Sequence, residues 1–148
     1  MVGLGEDRLG CVITISGLHG TGKTTYAAAL AARLNLRHVS AGKLFREIAC
    51  ERGLSLRDLS LEASVKDELD RLVDERTRVE ALRGNVVIDG LLAGWMAKDV
   101  ADLKFYLFAP EDVRMQRVAG RDGFCAQEAR KETLFREELE GRRFKKFY

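Results

Sequence analysis

The stretch ITISGLHGTGKTT occupies residues 13–25 and separates two different patterns. An apolar, β-branched run (CVITI) leads into it, as expected for a buried strand, and an Ala- and Leu-rich helical pattern (KTTYAAALAARL) follows. The motif G-x-x-x-x-G-K-T is matched at Gly17, Gly22, Lys23 and Thr24. Its glycines allow successive backbone N–H groups to point at one anion, and the helix N-terminus adds its dipole. The stretch therefore predicts a site for nucleotide phosphates. The alternative is a glycine-rich turn without a ligand.

A phosphate-binding loop does not by itself say whether a nucleotide is hydrolysed, transferred or only held. Lys23 is expected to bridge the outer phosphates and Thr24 to ligate Mg²⁺. Asp89 ends the apolar run VVI, which predicts a strand. Ligands of open parallel sheets bind beyond the carboxyl ends of the strands, so Asp89 is expected to reach Mg²⁺ directly or through water. Its alternative role is to cap a following helix.

Strand and helix patterns alternate along the rest of the chain. Strands are expected at residues 37–39, 86–88 and 103–109, and helices at 43–52, 65–82, 111–120 and from 126 to the end, with a helical turn or two at 56–62. Residues 121–125 are expected to form a loop. This alternation predicts an α/β fold with a mainly parallel sheet and helices on both faces, in a single domain over residues 1–148.

Composition excludes several classes of protein. The 148 residues are 46% hydrophobic and 32% charged, which is typical of one folded domain. A net charge of +2 gives no indication of nucleic-acid binding. The three cysteines form no CxxC pair, and no apolar run has the length of a membrane span. We expect a cytoplasmic protein without membrane contact, a monomer or weak dimer, with residues 1–10 as a short mobile lead-in rather than a signal peptide.

Arginines distinguish transfer from hydrolysis. An acceptor that is itself a phosphate needs no strong general base, but the repulsion between two anions must be overcome by converging arginines. Arg46 lies near the start of a predicted helix. Arg114, Arg117 and Arg121 recur at i, i+3 and i+7 and share one helical face, within an expected mobile segment over residues 114–135. We interpret them as phosphate ligands. The alternative is a solvated surface stripe.

Taken together, these residues resemble the nucleoside monophosphate kinases, and most closely the archaeal-type cytidylate kinases. The resemblance covers nearly the whole chain from about residue 12. The phosphate loop is specific only for the superfamily, whereas SAGKLFRE and GLLAGWM are much more specific. The segments that carry the resemblance are ITISGLHGTGKTT, HVSAGKLFRE, DELDRLVDER, GNVVIDGLLAGWM, DLKFYLFAPEDVRMQRVAGRDG and TLFREELEGRRFKKFY.

The resemblance implies a three-layer P-loop fold with a core of residues 11–113 and 136–148, monophosphate-binding helices over 41–82 and a lid over 114–135. It implies ATP as phosphoryl donor, Mg²⁺, and small-molecule nucleotides as partners. The ATP-binding residues would be Gly17, Leu18, His19, Gly20, Thr21, Gly22, Lys23, Thr24 and Thr25. The monophosphate-binding residues would be Ser40, Arg46, Asp70 and Arg76. Asp70 and Asp74 share a helical face, so either could read a base or only cap a salt-bridge network. The catalytic residues would be Lys23, Asp89, Arg117 and Arg121, with Arg114, Arg136 and Arg143 as further basic candidates.

Three departures from the family pattern stand out. Leu91 occupies a position where the family usually has an arginine that contacts the monophosphate. His19 replaces the usual proline of the loop, a change expected to be harmless because the loop backbone makes the contacts. Family members also continue beyond the position of Tyr148 with a strand and a helix, so a sheet edge and some apolar surface are expected to lie uncovered.

The predicted activity is phosphorylation of a pyrimidine nucleoside monophosphate by ATP, with CMP or dCMP first. One alternative is an adenylate kinase-like enzyme or another small-acceptor kinase on the same scaffold. A second alternative is a nucleotide-binding regulator without useful turnover.

Overall fold

The computed structural model describes residues 10–147, so the predicted lead-in at residues 1–9 and Tyr148 lie outside the described part of the chain. The strands are β1 (Val12–Gly17), β2 (Arg37–Ser40), β3 (Val86–Asp89) and β4 (Leu103–Leu107). The helices are α1 (Lys23–Leu34), α2 (Ala41–Glu51), α3 (Leu56–Val65), α4 (Glu68–Arg83), α5 (Ala93–Met96), α6 (Glu111–Asp122) and α7 (Ala126–Phe147).

The described strands form one parallel sheet in the order β2-β3-β1-β4. Side chains alternate across it. Val12 and Ile88 pack against α4 and α5 on one face, whereas Ile13, Ile15 and Val87 pack against α1 on the other. β1 is buried along its whole length because it lies inside the sheet with both faces covered. The predicted three-layer α/β arrangement is confirmed.

A second apolar cluster joins α2, α3 and α4. It contains Ile48, Ala49, Leu59, Ala63 and Leu69. Two predicted boundaries are wrong here. Residues 56–65 form a complete helix that starts at the side-chain cap of Ser55, and α4 begins at Glu68 rather than at residue 65. The break falls at Lys66, whose extended backbone turns the chain between two helices that share one core.

α6 and α7 pack against each other through the pairs Arg114–Glu137 and Arg130–Glu111, and both helices contact the loop that follows β1. The predicted loop over residues 121–125 is shorter than expected, because α6 runs on to Asp122 and Gly123 ends it in the left-handed conformation. The expected mobile segment over residues 114–135 therefore contains most of α6, a short turn and the first part of α7. Its mobility stays a prediction.

β4 is an edge strand within the described part of the chain, because it pairs there with β1 alone. Large apolar side chains along it are exposed, including Phe105, Tyr106 and Phe108. The structure thus shows the expected open edge among residues 10–147, and strand β4 ends at Leu107, two residues earlier than predicted. None of the helices in this range combines the length and hydropathy that a membrane span requires.

Candidate active site

The phosphate-binding loop joins β1 to α1 and requires glycine at two positions. Gly22 precedes α1 with φ 92°, a conformation that other residues rarely adopt. Gly20 has φ 77°, and a Cβ there would meet the backbone oxygen of Arg114 at 2.5 Å. The Leu18 carbonyl accepts hydrogen bonds from Thr21 Oγ1 (2.8 Å) and Lys23 Nζ (2.7 Å), which fixes the curl of the loop.

Lys23 begins α1, and its side chain is partly buried. Burial lowers the pKa of Lys23 to about 8, against the opposing charges of Asp89 and Glu140. An ammonium that is weakly hydrated and held in place gains strongly from an anionic ligand, because little water must be removed when the ligand binds. Lys23 therefore suits contact with a phosphate group.

Asp89 is buried at the carboxyl end of β3 and has three side-chain partners. Its Oδ1 accepts from Thr24 Oγ1 at 2.9 Å and from Ser40 Oγ at 3.0 Å. His38 Nε2 lies 2.7 Å from Oδ2. His38 was not predicted from the sequence. Strand alternation does indicate it, because residues 38 and 40 of β2 share one face, beside the acid that ends β3.

The Thr24–Asp89 contact fits the chemistry of Mg²⁺. A hydroxyl and a carboxylate oxygen are the hard ligands that this ion prefers, and it usually takes only one or two protein carboxylates with phosphate oxygens completing the shell. Residues 10–147 contain no cluster of three or more His, Cys, Asp or Glu that would form a complete protein cage. The arrangement therefore fits an ion that arrives with a nucleotide.

Two cavities meet at the loop. The residues that line only the first of them, the loop cavity, are Gly22, Thr25, Tyr26, Arg117 and Val118. The inner cavity extends toward α2, α4 and α7. The residues that line it but not the loop cavity include Phe45, Asp70, Val73, Asp74, Leu91, Leu92, Arg136, Arg143 and Phe144. Both are lined by Gly20, Lys23, Thr24, Arg46 and Arg121. A group bound at this junction is accessible from two separate binding spaces.

The three arginines of α6 have different surroundings. Arg114 is buried, donates to the His19 carbonyl at 3.0 Å and pairs with Glu137 at 2.6 Å. Arg117 donates to the Gly20 carbonyl at 3.2 Å. These two arginines hold α6 against the loop, and of the three only Arg121 lines both cavities.

Arg121 is held by its neighbour in sequence. Its Nε and one terminal nitrogen contact the two Asp122 oxygens at 2.7 and 2.8 Å. Burial disfavours the Asp122 carboxylate, but the hydrogen bond and charge of Arg121, with the charges of Arg46 and Arg136, lower the pKa of Asp122. A carboxylate held in this forked way occupies the donors that a phosphate would use.

The last described helix contributes more to the site than the sequence analysis expected. Arg143 makes two contacts with Asp70, at 2.7 and 3.1 Å, so the predicted base reader Asp70 is engaged by an arginine 73 residues away. Glu137 and Glu140 also face the loop. The main-chain N–H of His19 donates to Glu137 at 3.3 Å, and its ring Nε2 lies 2.8 Å from Glu140.

The sequence is similar to those of several known proteins. A protein named cytidylate kinase from Staphylothermus marinus is 47% identical over 137 residues, which span 93% of this chain and 77% of that protein. Another of that name from Ignicoccus hospitalis is 49% identical over 138 residues, spanning 93% of this chain and 80% of the relative. The chain belongs to the cytidylate kinase family. A family model described as an AAA domain also matches residues 16–136.

Solved structures support the same P-loop fold at lower sequence identity. Shikimate kinase from Bacteroides thetaiotaomicron has a TM-score of 0.61 and 22% identity, with 89% of this chain and 78% of that chain covered. A gluconokinase from Sinorhizobium meliloti has a TM-score of 0.57 and 19% identity, with 88% and 76% covered. These likenesses concern the fold alone.

Some residues predicted for the monophosphate site of this cytidylate kinase family member lie elsewhere. Arg76 lines a third cavity, on the far side of β2, together with His38, Lys43 and Glu80. Ser40 lines the same cavity, accepts from Lys43 N as the cap of α2 and donates to Asp89. Ser40 thus contacts the predicted metal ligand Asp89, which lines the inner cavity, whereas neither Ser40 nor Arg76 does.

Leu91 does line the inner cavity, beside Leu92 and near Phe45 and Phe144. It therefore adds apolar surface where the family usually has a cation. Besides Lys23 of α1, the cations of the inner cavity come from α2, α6 and α7, namely Arg46, Arg121, Arg136 and Arg143.

Asp74 gives a pH-dependent prediction. Burial and the charge of Asp70, against Arg143, raise the pKa of Asp74 to about 7 from an ordinary 3.8. Asp74 therefore loses its proton at lower pH in the unfolded chain than in the folded protein. The contribution of Asp74 to the free energy of unfolding consequently falls as the pH rises from about 4 to about 7. Asp74→Asn removes this contribution. We expect the difference in melting temperature between the Asp74→Asn variant and wild type to increase in favour of the variant from pH 5 to pH 8. Glu75→Gln, on the same helix, is the control. A relative melting temperature independent of pH would contradict the assignment.

Proposed function

We propose that the protein transfers the γ-phosphoryl group of ATP to CMP or dCMP, giving the nucleoside diphosphate and ADP. The observation that carries the proposal is the junction of the loop cavity and the inner cavity at Lys23, Thr24, Arg46 and Arg121. A hydrolase needs only a water beside the γ-phosphate, whereas two binding spaces that share one cationic junction suit transfer between two bound phosphates. The names of the relatives support CMP as the acceptor.

In the proposed reaction, an oxygen of the acceptor phosphate attacks the γ-phosphorus, and the bond between that phosphorus and the bridging oxygen of ADP breaks. The acceptor is already an anion, so no side chain has to remove a proton from it. Lys23 stabilises the charge that spreads over the transferred group, and Arg121 would join it once its pair with Asp122 opens. Thr24 and Asp89 would hold Mg²⁺, which supplies charge neutralisation at the donor phosphates.

Arg136 and Arg46 are the best-placed cations for the acceptor phosphate. Both line the inner cavity, and the Arg136 side chain is 9% exposed. Its Nε is buried without a hydrogen-bond partner among the described residues. A buried guanidinium N–H without a partner is rare, and an anionic ligand in the cavity would satisfy it.

The proposal includes a lid that closes over the junction. Arg121 and Asp122 lie at the end of α6, where the chain turns through Gly123 into α7. Closure would exclude water and so protect ATP from hydrolysis before the acceptor arrives. The free thiols of Cys11, Cys50 and Cys125 support a reducing, cytoplasmic location.

The test is ADP release, measured by a coupled assay with ATP, Mg²⁺ and a panel of CMP, dCMP, UMP, AMP and GMP. We expect the highest kcat/KM with CMP or dCMP, because the relatives are cytidylate kinases by name. Turnover that is independent of any monophosphate would contradict transfer.

A second candidate function is phosphoryl transfer from ATP to a different acceptor on the same fold. Leu91 makes one wall of the inner cavity apolar, which suits an acceptor with less charge on that side, as in an adenylate kinase-like or other small-acceptor kinase. AMP exceeding CMP in the panel, or a small phosphate-free acceptor exceeding both, would favour this candidate.

A further inference from the structure

His19 belongs to the phosphate loop, yet its side chain contacts α7 and lines the inner cavity. The ring Nε2 lies 2.8 Å from one Glu140 oxygen and 3.1 Å from the other. The His19 side chain is 13% exposed and that of Glu140 is 7% exposed, so the contact lies away from bulk water. Burial opposes ionisation of Glu140, but His19, together with Arg136 and Arg143, lowers its pKa.

Glu140 is also the anion that pairs most directly with Arg136 among the described residues. The two lie one helical turn apart on α7, and their closest nitrogen–oxygen distance is 3.9 Å. That distance permits attraction but is too long for a hydrogen bond. The Arg136 N–H that has no partner among the described residues is Nε, a different nitrogen from the terminal one that lies 3.9 Å from Glu140. Some other contact must hold Glu140 back from a closer pair, and both of its oxygens face His19.

We propose that His19 is a positioning residue for the acceptor side: it holds Glu140 away from Arg136, so that the Arg136 guanidinium stays available to the acceptor's phosphate. The inference rests on the proposed function for the identity of that ligand. It also ties the conformation of the donor loop to the cation on the acceptor side, through one side chain of the loop.

The physical reason is a competition for one carboxylate. Without the imidazole, Glu140 has a buried cation one turn away as its best remaining partner. A full Arg136–Glu140 pair would neutralise the guanidinium and occupy its donors. The acceptor phosphate would then have to break that pair in order to bind. ATP contacts the loop through backbone N–H groups and Lys23, which removal of the imidazole leaves in place.

The experiment compares KM for CMP with KM for ATP in the full chain. For His19→Ala we expect KM for CMP to rise about fivefold, the value of one buried hydrogen bond, with KM for ATP within about twofold of wild type. His19→Gln keeps an N–H that can reach Glu140 and should restore KM for CMP. Glu138→Gln, on the exposed side of α7, is the matched control and should match wild type.

A second change tests the sign of the mechanism. In the double variant His19→Ala/Glu140→Gln, the neutral amide no longer competes for Arg136, so KM for CMP should return toward the wild-type value. Arg136→Lys, which lacks Nε, should raise KM for CMP even with His19 present. If His19→Ala does not fold, His19→Asn, whose amide is too short to reach Glu140, provides the same comparison.

Several results would overturn the inference. A rise in KM for ATP instead of CMP would make His19 a donor ligand. Unchanged KM values for both substrates would mean that the His19–Glu140 contact has no role in binding. A double variant with as high a KM for CMP as His19→Ala would exclude competition by Glu140. Failure of the proposed function is a separate result, because wild-type protein would then show no CMP-dependent turnover.

Discussion

Lys23→Ala is expected to lower kcat about 10²- to 10³-fold, since one preorganised charge at a transferred group is removed. Lys23 lines both cavities and lies at the point where the phosphoryl group would pass between them. Its neighbourhood already contains the anions Asp89 and Glu140, so loss of the ammonium also leaves those carboxylates facing the phosphates. The measurement is steady-state ADP release with saturating CMP.

Lys43→Ala is the matched control for that change. Lys43 lies on α2, its side chain is exposed, and its ammonium is paired only loosely with Glu47 at 3.9 Å. It should keep kcat within about twofold of wild type, since surface ion pairs contribute little. Equal losses in the two variants would mean that the Lys23 effect is general electrostatics rather than contact with the transferred group.

Much of the fold could be predicted because its signals are local. The run VITISG and the glycine pattern after it specify β1, the loop and α1, and the helix bounds Lys23–Leu34 agree with the prediction. Alternation of strands and helices then leaves few topologies other than a parallel sheet. The boundary between α3 and α4 was wrong because helical periodicity continues across residues 65–68, and the break depends on a shared core rather than on a proline or glycine.

The site could be predicted only where function is encoded in a motif. Lys23, Thr24 and Asp89 come together because the carboxyl ends of β1 and β3 are adjacent in the sheet. The pairing of Asp70 with Arg143 and of His19 with Glu140 joins residues 73 and 121 positions apart. No local pattern specifies which face of a long charged helix will turn inward, so the acids of α7 were overlooked.

α7 connects the two sides of the site. Its residues bind the loop through Glu137 and Glu140, and they bind α4 through Arg143. Arg136, one residue before Glu137, lines the inner cavity. A substitution at the Arg143–Asp70 contact with α4 should therefore affect both stability and acceptor binding, whereas substitutions on the exposed face of α7 should affect neither.

Arg143→Met is the change with the largest expected effect on stability. Arg143 and Asp70 are almost completely buried, with side chains 5% and 13% exposed. Removal of the guanidinium leaves the Asp70 carboxylate without its cation near Asp74, so we expect the free energy of unfolding to fall by about 3 kcal/mol. Urea denaturation at pH 7 measures it. Arg142→Met, next to it but exposed and paired with Glu138 on the surface, should change stability by less than about 0.5 kcal/mol.

The double variant Arg143→Met/Asp70→Asn separates the charge from the packing. If the loss arises from an uncompensated carboxylate, neutralising Asp70 should recover most of it, because a buried ion pair replaced as a whole costs far less than a pair that has lost one partner. No recovery would mean that the guanidinium stabilises the helices chiefly through the packing of its stem and its long contact with the Ser60 carbonyl at 3.4 Å. In that case the Asp70 carboxylate would be tolerated without Arg143, and the pair would not be needed to compensate a buried charge.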